Sequence, residues 1–72
     1  MITQQEALEI FSDPWFIFWV RVTDELRVAE VFAALHASGI PESQIAERAG
    51  ISISVVSELI YTGIVGGYAV MD

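Results

Sequence analysis

Glu6 and Glu9 form a carboxylate pair of the kind that general acid–base catalysis uses. Glu6, however, has a local role: in Thr3-Gln4-Gln5-Glu6 the Thr3 hydroxyl can accept from the Glu6 amide while the Glu6 carboxylate reaches back to the Thr3 amide, a capping box that starts a helix. His36, the only histidine, falls near an expected helix C-terminus, where a cation is favourable, and it cannot build a metal site unaided. The chain has no cysteine, which removes a disulfide framework and a cysteine zinc site. No nucleophile stands beside a base, and neither a glycine-rich phosphate loop nor metal-ligand spacing occurs. The residues therefore predict no enzyme, no cofactor, no metal and no small-molecule substrate.

The 72 residues suffice for one domain with a modest core, and domains this small often lean on a partner. Hydrophobic residues make up 54% of the chain, a high share for a molecule whose surface must face water. Ten acidic residues stand against three arginines and no lysine, a net charge of −7. That charge keeps an apolar domain dispersed and repels phosphate. The acids are spread from Glu6 to Asp72 without a dense run, the pattern of a solvated surface. The N-terminus lacks a basic stretch, and the most apolar run, Trp15 to Val20, ends at Arg21, far short of the ~20 residues of a membrane span. The expectation is a cytoplasmic protein, in the host cytoplasm if phage-encoded, with no membrane contact.

Helical spacing accounts for most of the chain. Ala7, Leu8, Ile10 and Phe11 give the first helix its apolar side. Asp13 suits an N-cap and Pro14 a first helical position, so a second helix is expected from Pro14. It is apolar almost all round, with Trp15, Phe18, Trp19 and Val22 on one arc and Phe16, Ile17 and Val20 beside or opposite it. The arc of Trp15, Phe18 and Trp19 is expected to be core. One small core cannot cover opposite sides of a helix, so Phe16, Ile17 and Val20, with the flanking Trp15 and Trp19, are the expected protein interface. Thr23-Asp24-Glu25 either restarts a helix or continues the same one, and Gly39 ends it near Ala37 or Ser38. The tail, Ile64 to Met71, carries β-branched residues around Gly66-Gly67 and predicts a short strand or hairpin.

Residues 42–61, ESQIAERAGISISVVSELIY, have a tighter pattern. Ala46 is small where two helices would cross, Gly50 suits a turn with positive φ, Ile51 fills the core after the turn and Ser52 suits an N-cap. Ile45, Ala49, Val56 and Leu59 repeat at inward spacing, and Gly63 is the expected helix end. This stretch resembles the helix-turn-helix of phage repressors and related bacterial regulators. The resemblance covers roughly half the chain and does not explain residues 1–22; taken with the length and the helical spacing elsewhere, the expectation is an all-α fold, a single domain over 1–72 with N-terminal helices over 1–22, a trihelical core over 24–62 and a tail over 63–72.

In that family the second helix enters the major groove. The resemblance then makes Ser52, Ile53, Ser54, Ser57, Glu58 and Tyr61 the recognition positions and Arg48 a phosphate contact. None of the six is an Arg, Lys, Asn or Gln, the residues suited to reading base edges in pairs of hydrogen bonds. Arg48 is the single base against Glu42, Glu47 and Glu58, whereas useful DNA binders neutralise about 6–10 phosphates. Two functions follow. In the first, a small acidic regulator uses this scaffold to bind a protein with a basic or apolar surface, as a phage or mobile-element inhibitor of a host protein such as a transcription factor, a polymerase subunit or a defence complex. In the second, a dimeric repressor binds operator DNA through residues 52–61. A homodimer is expected in either case.

Overall fold

The computed structural model describes residues 2–66. These form five helices: α1 Gln4–Ser12, α2 Phe16–Val22, α3 Glu25–Ala37, α4 Glu42–Ala49 and α5 Ile53–Val65. The protein is a small all-α bundle. Its core gathers Phe11, Phe16, Val31, Phe32, Leu35, Ile45, Val56 and Ile60, with Ile2 and several alanines between them.

Local chemistry sets most helix ends. The capping box of α1 forms as expected, with the Glu6 amide donating to the Thr3 hydroxyl at 3.1 Å. The chain breaks at Thr23-Asp24, so residues 14–38 hold two helices; Asp24 accepts from the Leu26 amide at 3.1 Å and caps α3. At the other end of α3, Gly39 takes φ 91°, its amide reaches the His36 carbonyl, and the Ile40 amide reaches Leu35. This pair of bonds is a Schellman closure, satisfying carbonyls the helix leaves free.

The second helix starts later than Pro14. Asp13 accepts from the Trp15 amide at 2.7 Å and the Asp13 carbonyl accepts from Phe16, a turn that holds Pro14 and Trp15 outside α2. The aspartate side chain competes with the helix for its own neighbours' amides.

Gly50 joins α4 to α5 with φ 69°, and the amides of Gly50 and Ile51 both donate to the Ala46 carbonyl. Ser52 then caps α5 by accepting from the Val55 amide. The axes of α4 and α5 differ by 111°. Gly50 has a second constraint from packing, since a Cβ there would stand 2.7 Å from the Ile17 Cδ1 of α2.

Gly63 does not end a helix. It is buried within α5, which runs on through Ile64 and Val65, so the strand expected for the tail does not begin there; its remainder, from residue 67, lies outside the described residues. The glycine lies in the contact between α5 and α3, the most extensive helix pair among the described residues, with no room for a Cβ against Ala29 and Ala33. α1 also packs on α3, while α4 rests on α5 and α2. Among the described residues no single helix is long and apolar enough to cross a membrane; α4 and α5 reach that test only as a bent pair.

Candidate interaction surfaces

The seven residues of α2 are Phe16-Ile-Phe-Trp-Val-Arg-Val22, so any face it turns outward is apolar or nearly so. The structure turns Phe16 inward, 1% exposed, with Trp19 and Val20 half-buried beside it. Phe16 is a hub: its ring meets Phe11 edge-on at 5.2 Å, stacks on Trp19 at 5.9 Å and lies 6.2 Å from Phe32.

This reverses part of the expected arrangement. Phe16 belongs to the core and is unavailable to a partner, whereas Trp15 and Phe18, expected in the core, are outside. Trp15 is 71% exposed, Phe18 57% and Val22 65%. At about 100° per residue Phe18 and Val22 lie roughly 40° apart on α2, and Trp15 precedes them in the turn that enters the helix. The reason is the late start of α2. With Asp13-Pro14-Trp15 held in a turn, the strip Phe16, Trp19, Val20 meets the rest of the bundle and the strip Trp15, Phe18, Val22 is left facing water. Ile17 is partly exposed and touches the turn at Gly50. Of the expected interface residues, then, Trp15, Ile17, Trp19 and Val20 retain some exposure.

The positions that the resemblance assigns to recognition, Ser52, Ile53, Ser54, Ser57, Glu58 and Tyr61, are all exposed on α5. Their polar groups are partly engaged within the chain. Ser52 caps the helix and exchanges a hydrogen bond with Ser54, and the Ser57 hydroxyl donates to the Glu42 carboxylate. Toward its C-terminal half the same surface changes character. Ser57, Glu58 and Tyr61 join Val20, Val28 and Leu59 around an open groove of about 700 Å³ between the α2–α3 break and α5.

Arg48 is not a free cation. Its Nε donates to the Phe11 carbonyl at 3.0 Å and Nη2 to the Asp13 carbonyl at 3.2 Å, across 37 and 35 residues of chain. The guanidinium lies 5.0 Å from the Phe11 ring centre, close enough for a cation–π contact. It therefore neutralises the C-terminal end of α1, whose last turn contains no base of its own. A phosphate contact from Arg48 would compete with these bonds. Of the other arginines, Arg27 pairs with the largely buried Glu30 on α3 and Arg21 is exposed on α2. Spacing signalled neither the Arg48 contacts nor the groove, because each depends on elements far apart in the chain.

Among the described residues no group of three His, Asp or Glu could hold a metal ion. Comparisons with models of known protein families, with curated proteins and with solved structures give no match for this chain.

Proposed function

We propose that the protein is a small acidic regulator that acts by binding another protein, on a helix-turn-helix scaffold, and that the outer strip of α2 is its main contact. The observation that carries this reading is the exposure of Phe18 and Val22 on one side of a seven-residue helix, together with Trp15 in the turn that leads into it. Exposed apolar side chains that cluster, rather than scatter singly, mark interaction surfaces, and aromatic side chains dominate the energetics of protein interfaces when covered. An inhibitor of a host protein, encoded by a phage or mobile element, fits the small size and the net charge of −7.

The scaffold part of the reading is supported by the α4–α5 unit. Two short helices at 111°, joined through a glycine with positive φ and a serine N-cap, are compatible with the motif that residues 42–61 resemble. The same unit is also what favours the second reading, a dimeric DNA-binding repressor using residues 52–61. Charge and hydrogen bonding weigh against it. Arg48 is committed to α1, and the serines at positions 52, 54 and 57 already have intramolecular partners. Affinity for DNA comes largely from neutralised phosphates, and three arginines in the chain supply few.

The test compares the wild-type protein with the double variant Trp15→Ser/Phe18→Ser in pull-downs from bacterial lysate. Proteins retained by the wild type and lost with the folded variant support the proposal. Equal retention by both removes the α2 strip as the contact. Fluorescence anisotropy with random duplex DNA at low salt decides the second reading: binding that falls steeply with added salt would put the repressor first.

A further inference from the structure

The groove between the α2–α3 break and α5 has a composition suited to one kind of occupant. Val20, Val28, Val55 and Leu59 give it apolar walls, and Glu25 from α3 and Glu58 from α5 add a carboxylate from each side. Neither an arginine nor a histidine lines it, and among the described residues neither of these carboxylate groups has a hydrogen-bond or ion-pair partner. The exposed Tyr61 ring stands in the same lining.

We infer that this groove docks a basic amphipathic segment of a partner protein, with lysine or arginine heads at Glu25 and Glu58 and aliphatic side chains on the valine and leucine walls. Charge complementarity selects this occupant. A second copy of the chain would bring ten further acidic residues toward two carboxylates, and it offers only three arginines, two of them engaged with Glu30 and with α1. A purely apolar segment would leave both carboxylates partly desolvated with no counter-ion, which is unfavourable. Long cationic side chains satisfy both surfaces at once, because they lay their methylene stems on apolar walls and keep the charge at the rim. Tyr61 offers such a cation a ring face.

The inference rests on the reading of the chain as a protein-binding module, but it uses a different surface from the α2 strip, so the two can fail separately. The probe is a short amphipathic peptide of leucine and lysine, with its leucine–glutamate counterpart as control, titrated into the ¹⁵N-labelled protein. The expected result is amide shift changes concentrated at Val20, Val28, Val55, Leu59 and Tyr61 with the basic peptide and none with the acidic one. Glu25→Gln/Glu58→Gln should weaken binding about tenfold, the scale of two partly exposed ion pairs. Glu9→Gln/Glu47→Gln, which removes the same charge from exposed positions outside the groove lining, should weaken it far less. Val55→Lys, a change at an exposed site that the fold tolerates, should abolish binding. The inference is overturned if no shifts occur, if they centre on Trp15 and Phe18, if the acidic peptide binds equally, or if both glutamate pairs have the same effect. Trp15→Ser/Phe18→Ser should leave peptide binding unchanged while it removes the contact proposed for α2.

Discussion

The backbone of Gly63 lies directly against the carbonyl of Ala29: a Cβ at position 63 would overlap that oxygen and stand 2.7 Å from the Cβ of Ala33. Ala29 and Ala33 are one turn apart on α3, so α3 and α5 meet nearly backbone to backbone. Gly63→Ala tests this contact with competing terms. Alanine should gain about 1 kcal/mol over glycine from helix propensity. The overlap should cost more, because its first neighbour is a main-chain oxygen that moves only if α3 moves, and overpacking of this kind costs roughly 1–3 kcal/mol. The expected outcome is a net loss of stability and a fall in Tm of several degrees, read by thermal denaturation followed by circular dichroism. A rise in Tm would show that the helices separate freely.

Arg48→Ala should destabilise the protein by roughly 1 kcal/mol, since it leaves the Phe11 carbonyl without its donor and the Asp13 carbonyl with the Phe16 amide alone, but at a site open to water. Arg48→Lys should recover only part of the loss, because an ammonium cannot reproduce the two divergent bonds and the flat contact with Phe11. Urea denaturation measures both. If Arg48→Ala leaves the midpoint unchanged, the link between α4 and α1 contributes nothing and the arginine is available to an external anion.

Phe16 and its neighbours on α2 should separate cleanly by substitution. Phe16→Ala removes a ring in contact with three other aromatic rings and should cost about 3–5 kcal/mol. Phe18→Ala, three-fifths of the way to full exposure, should change stability by no more than about 0.5 kcal/mol. The pair is read by urea denaturation, and a large loss from Phe18→Ala would mean that the outer strip of α2 is covered in solution.

Salt should distinguish what covers that strip. Pairing of two copies brings together two chains each of net charge −7, so self-association should strengthen as salt screens the repulsion. Contact with a basic partner should weaken under the same change. Sedimentation velocity of the protein alone at low and high salt reports the first effect, and a sedimentation coefficient that falls with added salt would contradict it.

How legible the fold was depends on how local each signal is. Thr3 with Glu6, Asp24, Gly39, Gly50 and Ser52 each act on a partner within a few residues, and each forms as their types dictate. The phase of α2 was not legible, because six of its seven residues are apolar and periodicity cannot select a buried side when every side qualifies. Gly63 was ambiguous for a different reason. A glycine that ends a helix and a glycine that admits a neighbouring backbone look identical until Ala29 and Ala33 are placed beside it. Arg48 carried the clearest chemistry in its stretch, yet its partners lie on another helix, and only the assembled bundle shows that its charge is already in use.

The attachment of α2 has a consequence for how the molecule opens. Seven residues make fewer than two turns, too few to hold a helix in water alone, and Phe16 is the only one of them fully buried. The larger α3–α5 pair can stay closed while this segment lets go, so amide exchange should be fastest here among the helices. The strip that carries Trp15, Phe18 and Val22 thus sits at the low-stability end of the structure, where reshaping to fit what it meets costs least.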